Sequence, residues 1–194
     1  MKKIRCFVFA VVLLGLAPGG ISRLYAQNAG YNAIIGHAAE RAFIAGGSIK
    51  RNDLQNILHA GNRAPSASNR QPWHFTVVQN ASLGKQIVSD FLDGNALIVV
   101  SSPVDGKTNS RNILDCGLAV ENIYLAAQAL GYGSRIYTGP IDNVNASLKE
   151  ALGLPDGYSA IAIIRVGEVN TAGANAVSTP SPRNDLNSIV NYKR

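Results

Sequence analysis

Apolar positions recur along this chain at two spacings, one helical and one of strand type. In YNAIIGHAAERAFIA, residues 31–45, Ile34, Ile35, Ala38, Ala39 and Ala42 share one helical stripe. The GGS at 46–48 breaks that helix, and Ser48 is placed as a cap for the next. A second helix is expected from Lys50 to Ala60, burying Leu54, Ile57 and Leu58, with Gly61 placed to close it as a positive-φ C-cap. HFTVV, 74–78, is dense in β-branched and aromatic residues and predicts a strand. A short helix near Ser82 to Leu92 carries Leu83, Ile87 and Phe91. ALIVVSS, 96–102, has the length and unbroken apolarity of a strand buried on both faces, and Pro103 ends it.

The longest helix is expected from Asn112 to Leu130. Ile113, Leu114, Leu118, Val120, Ile123, Tyr124, Ala127 and Leu130 make it apolar on more than one face, so it is buried from several directions, by its own domain or by a partner subunit. GYGSRIYTGP, 131–140, reads as a Gly-punctuated loop with room for a short strand; Asp142 caps a further helix to Leu152, and YSAIAIIRVGEV, 158–169, is a third strong strand. The tail is polar up to a small apolar patch at Leu186, Ile189 and Val190. Helices interleaved with few strands predict an α+β sandwich, a small sheet covered by helices.

Composition changes this picture chiefly at the start. Met1, Lys2, Lys3 and Arg5 precede an apolar run from Cys6 to Ala17, then a Pro18-Gly19-Gly20 break and small residues up to Gln27. That is the layout of a secretory signal peptide over residues 1–26, too short to span a bilayer comfortably, and it leaves 27–194 as one domain without stable membrane insertion. The expected location is outside the inner membrane, in the periplasm. Removing Lys2, Lys3, Arg5 and Arg23 leaves 14 basic residues against 12 acidic ones, a net charge of +2, with no basic run to suit nucleic acid or an anionic membrane. Cys116 is then the lone cysteine and forms no internal disulfide, and His37, His59 and His74 lack paired metal-ligand spacing.

One stretch stands apart. In APSASNRQPWHF, 64–75, two prolines push the residues before them toward extended backbone, while Ser66, Ser68, Asn69 and Gln71 offer donors and acceptors. Such a turn suits a flat heteroaromatic ligand with ring carbonyls and nitrogens, and Trp73 and Phe75 supply rigid apolar mass beside it. In order, these residues read A-P-S-x-x-N-x-Q-P-W between an apolar helix and a strand. This stretch resembles the signature of the nitroreductase-like flavoprotein family. DCGLAVENIYLAAQALGYGS, 115–134, resembles that family's central helix and the loop after it, and PSPRNDLNSIVNY, 180–192, is similar to its C-terminal arm.

The resemblance implies a mainly antiparallel sheet in an α/β sandwich, an interlocked homodimer and one FMN in each interface pocket. Carried over residue by residue, Pro65, Ser66 and Asn69 line the flavin ring, Gln71 supports that loop, and Thr138 and Gly139 turn backbone N–H groups toward the reactive edge of the ring. An N–H bond to N5 there favours the reduced flavin. For the phosphate, relatives carry R-R-S-x-R on the first helix, where this chain has HAAER, 37–41, so Arg41 alone is in register; Arg183 matches the C-terminal arginine, with Ser181 where a lysine often stands. Two arginines can hold a phosphate through charge-assisted hydrogen bonds. Weaker FMN retention is expected, or compensation from Arg63 or Arg70.

The implied activity is ping-pong electron transfer, from a donor to FMN and then to a small acceptor such as a nitroaromatic or quinone, with no catalytic acid or base required of the protein. Export separates the protein from NAD(P)H, so the donor is open. The alternatives are a flavin-binding protein of the same fold that no longer turns over, or one with different chemistry, dehalogenation or flavin cleavage. The short stretch from Pro103 to Arg111 takes the place of a longer excursion in many relatives, which implies a more open pocket.

Overall fold

Four strands, β1 (His74–Val78), β2 (Ala96–Pro103), β3 (Tyr132–Tyr137) and β4 (Tyr158–Glu168), form an antiparallel sheet in the order β1-β2-β4-β3. The computed structural model describes Ile34 and residues 44–104, 109–169 and 182–193. All of these but Ile34 belong to one compact unit, Gly36–Arg194. Expectations for the signal peptide, for Arg41 and for most of the helix at 31–45 lie outside the described residues.

β2 and β4 occupy the centre because their runs are apolar on both faces, and such strands need a layer on each side. On one face lie the helices α1 (Arg51–Asn62) and α3 (Asn109–Ala129). Leu54, Ile57, Val120 and Ile123 from these helices share a core with Ile98, Val100, Ile164 and Val166. The other face is covered by α2 (Ala81–Ile87), Phe91, and a short helix α4 (Ile141–Asn143) that continues as a π-helical turn, Val144–Leu148. There Ile87, Phe91, Val144, Leu148 and Leu152 pack on Leu97, Val99 and Ile163. Arg165, only 2% exposed, crosses this second layer through Nε to Asn95 Oδ1 at 2.7 Å and an ion pair with Asp90 at 3.0 Å.

The predicted strands and the α+β class agree with this architecture, and the glycine-punctuated segment contributes edge strand β3. Other expectations are corrected. Gly61 does not close α1: the helix runs to Asn62, and Gly61 is buried inside it, where a Cβ would sit 2.6 Å from Ile123 Cγ1 and 3.2 Å from Phe75 Cζ. Its missing side chain lets α1 and α3 approach. Ser48 is not the cap of α1 either, since Lys50 holds that position without a side-chain bond. Asp142 lies within the first turn of α4, with Pro140 at the cap. Ile44 and Ala45, expected in the helix at 31–45, are not helical: Ile44 is buried and bridges Val169 in extended pairing, and Ala45 N–H donates to Glu168 O at 2.7 Å.

The strand directions position the site. β1 runs antiparallel to β3, so the loop before β1 and the segment after β3 emerge at the same end of the sheet, from its opposite edges.

Candidate functional site at one end of the sheet

The loop between α1 and β1 begins where Pro65 makes further helix impossible. Arg63 N–H is shared between the carbonyls of His59 and Ala60, both at 3.1 Å, and Ala64 N–H closes on Gly61 O at 3.1 Å. Ser66 is extended, and Ala67–Asn69 form a single 3-10 turn. Three non-glycine residues then take positive φ: Ser68 (54°), Asn69 (54°) and Gln71 (48°). Gln71 thereby departs from the extended backbone expected before Pro72. Local bonds impose this: Gln71 N–H donates to Ser66 Oγ at 3.0 Å, and Gln71 Nε2 donates to Asn69 Oδ1 at 3.0 Å and to Asn69 O at 3.3 Å. Left-handed backbone costs on the order of 1–2 kcal/mol per residue, least for asparagine, so the loop is a strained turn held by its own side chains. Strain of this kind clusters at functional sites.

Two anchors tie the turn to the scaffold. Asp115 comes from the buried stripe of α3, where Asn112, Asp115, Cys116, Ala119 and Ile123 face inward. Its Oδ1 accepts from Ala67 N–H at 3.1 Å, and its Oδ2 lies 3.7 Å from Arg70 Nη2. Trp73 is the second anchor. It is buried in the α1/α3 core, and its Nε1–H donates to Asn62 Oδ1 at 3.1 Å, so it staples the loop to α1 instead of offering a ring to a ligand. Phe75 is packed against the same core. Sequence reasoning missed Asp115 and Asn62; the signal for Asp115 was a carboxylate on an otherwise apolar helical stripe, which needs a partner.

The expected cofactor residues fall in three places. Pro65, Ser66, Asn69 and Gln71 are together in the strained loop, with Asn69 and Gln71 lining a polar pocket of about 390 Å³ at its base. Asn69 Oδ1 is taken by Gln71, which leaves its Nδ2 as a donor. Thr138 and Gly139 lie exposed at the end of β3, with open space where a Gly139 Cβ would be, and Thr138 O accepts from Ile141 N–H at 3.1 Å. Within one chain three strand spacings, about 14 Å, separate the two edges. Arg183 is exposed in segment 182–193, all of whose residues are exposed. Of the two arginines named as compensation, Arg70 lies 3.7 Å from Asp115 Oδ2 without a hydrogen bond to it, whereas Arg63 lines the polar pocket.

The remaining candidates are structural. His74 meets Tyr158 edge-on at 6.2 Å, and Tyr137 lies beneath the Arg135 guanidinium at 4.8 Å. Cys116 is fully buried. Burial pushes its thiol up to about 11, the nearby Asp115 adding to this and a Ser102 hydrogen bond opposing it, so it stays a protonated core residue at neutral pH. The described residues hold no group of His, Cys, Asp or Glu suited to a metal ion.

The fold and loop define an α+β sandwich that presents a strained polar turn at an open sheet end. Residues 35–101 and 89–168 match the family model described as "Nitroreductase family". A protein of Archaeoglobus fulgidus provisionally named NADH dehydrogenase/NAD(P)H nitroreductase is 35% identical over 129 residues, 61% of this chain and 74% of that one. Two solved structures share the fold. One, from Desulfovibrio desulfuricans, is provisionally named a nitroreductase in complex with FMN; it is 25% identical, covers 84% of this chain and 96% of its own, and has a TM-score of 0.69. The other, a nitroreductase with bound FMN from Bacteroides fragilis, is 21% identical over 84% of this chain and 98% of its own, with a TM-score of 0.65. The chain belongs to the nitroreductase family.

Proposed function

We propose that this chain transfers electrons to a small organic acceptor, a nitroaromatic, quinone or similar molecule, in a ping-pong reaction on FMN held beside the 64–73 loop. It is an FMN-dependent oxidoreductase of its family. The observation that carries the reading is the strained turn itself: Pro65, Ser66 and Asn69 are held at the sheet end by bonds from Gln71 and Asp115, with the Asn69 Nδ2 left to donate. FMN, when bound, supplies the redox chemistry. The protein's part is to hold the ring against the loop, and no residue at the site has to gain or lose a proton.

Homodimerisation is part of the proposal. The loop and the Thr138-Gly139 segment come from opposite edges of one sheet, and α3 leaves Ile113 (46%), Leu114 (65%) and Leu118 (38%) exposed, an apolar face that a second copy would cover. So is export, with residues 1–26 read as a cleaved signal. With export, the electron donor is left open, NAD(P)H or another reductant.

The test is an absorbance spectrum of residues 27–194 titrated with FMN and desalted, followed by steady-state quinone reduction with a chemical donor. Retained flavin bands and saturable turnover are expected. Retained flavin without turnover on any acceptor would leave a binding protein and sink the enzyme reading.

A further inference from the structure

The polar pocket at the base of the loop extends beyond the residues assigned to the flavin ring. It is lined by His59, Asn62, Arg63, Ala64, Asn69 and Gln71, with a volume of about 390 Å³. His59 and Asn62 on the last turn of α1 and Arg63 at its C-cap stand at i, i+3 and i+4, so they share one face, and the loop folds back to bring Asn69 and Gln71 into the same pocket. Hydrogen-bond accounting shows what the pocket lacks. Asn62 Oδ1 accepts from Trp73 and Asn69 Oδ1 from Gln71, so each amide keeps its NH2 group and one oxygen lone pair to offer. The Arg63 guanidinium adds further donors. Neither His59 nor Arg63 is within ion-pair reach of a carboxylate among the described residues. Gln71 Oε1 makes no hydrogen bond among the described residues, so acceptors are present beside the donors. The pocket thus gathers donors and one guanidinium on the solvent-exposed surface, with no carboxylate among its lining residues.

A cationic side chain at a helix C-terminus is ordinarily explained by the macrodipole. Here the terminal carbonyls are already served: His59 O and Ala60 O by Arg63 N–H, Ala60 O also by Asn122 Nδ2 at 3.1 Å, and Gly61 O by Ala64 N–H. The residual dipole, about 0.3–1 kcal/mol for an exposed charge, opposes an anion less than charge-assisted bonds from Arg63 favour it.

We propose that this pocket is an oxyanion subsite that takes the carboxylate or phosphate group of a small-molecule substrate, so that the enzyme favours acidic acceptors or donors over neutral ones. The inference rests on the proposed function, because Asn69 belongs both to the pocket and to the loop assigned to the flavin ring. An acid anchored on Arg63 and Asn62 is therefore held next to the reacting ring. Its neutral amide isostere offers those donors one uncharged acceptor in place of two charged oxygens.

The test compares wild type with Arg63→Gln and Arg63→Lys as FMN-loaded proteins. Benzoate and inorganic phosphate are titrated by NMR while the Asn62, Asn69 and His59 side-chain signals are followed. Saturable shifts in wild type, weakened about tenfold in R63Q and partly restored in R63K, are expected. Saturation by benzoate alone assigns a carboxylate substrate, and saturation by phosphate alone a phosphorylated one. In turnover, KM for 4-nitrobenzoate should rise about tenfold in R63Q at unchanged kcat, while KM for 4-nitrobenzamide stays put. Equal changes for the two acceptors, or no saturable shift with either anion, would overturn the proposal. So would loss of FMN from R63Q with riboflavin affinity unaltered, which would assign the pocket to the cofactor's own phosphate. Failure of every acceptor with anion binding intact would count against the proposed reaction and leave the subsite standing.

Discussion

Replacing Asp115 with alanine would loosen the loop that carries Pro65, Ser66 and Asn69 without altering any of them. The carboxylate supplies the acceptor for Ala67 N–H at 3.1 Å and a 3.7 Å contact to Arg70. A hydrogen bond to a charged group contributes about 1.5–3 kcal/mol. Ala67 is exposed, so its N–H can turn to water, which places the loss near the bottom of that range. The Arg70 contact adds little, since that side chain is 34% exposed. About 1.5 kcal/mol of restraint is then withdrawn from a turn with three positive-φ residues, each costing on the order of 1–2 kcal/mol. If that restraint holds the cofactor-facing geometry, FMN affinity falls about tenfold, and Tm falls by about 3–6 °C for a domain of this size. Fluorescence titration with FMN reads the first and a thermal melt the second. Asp115→Asn keeps an oxygen for Ala67 N–H but loses the charge on that bond and the weak pair, so its FMN affinity should fall between those of wild type and Asp115→Ala. Unchanged FMN affinity in Asp115→Ala, or an Asn variant as impaired as the Ala one, would refute the reasoning.

Gly61→Ala gains about 0.5–1 kcal/mol of helix propensity but places a Cβ 2.6 Å from Ile123 Cγ1. Overpacking of about 1–3 kcal/mol should win, giving a lower urea midpoint. The Cys116 thiol, raised from 9.0 to about 11 in the fold, favours the protonated state there. Its contribution is full below pH 9 and is lost as pH rises toward 11, by about 2–3 kcal/mol. Urea melts across that window should show a slope that Cys116→Ala removes. Asn95→Ala strips the Nε partner from buried Arg165 and leaves a fully buried Asn95 site empty, so unfolding free energy should drop by about 3 kcal/mol. Leu114→Glu, on the exposed face of α3, should give a monomer by light scattering and abolish FMN retention; a stable flavin-loaded monomer would refute the proposed dimer.

Much of the fold was legible because it rests on periodicity. The unbroken run at 96–102 has to be central, and an alternation of helices with three strong strands leaves few ways to cover one sheet. The misreadings came where a residue's reason lies in another element. Gly61 carries the local signature of a helix end, yet its small size answers to Ile123, more than sixty positions away. Gln71 before a proline is pushed toward extended backbone by its neighbour, yet Ser66 Oγ and Asn69 hold it at positive φ. The motif likewise located the loop but not what holds it. Asp115 reaches Ala67 across 48 positions of chain, and only the packing of α3 under the sheet end makes that partner visible. The same logic separates Arg63 from Arg70, which the sequence offers as equivalent cations flanking one turn. Arg70 lies against a buried carboxylate, whereas Arg63 faces amide donors. Any electrostatic effect of this site on substrate choice therefore falls on Arg63, and Arg70→Gln should leave the preference between 4-nitrobenzoate and its amide unchanged.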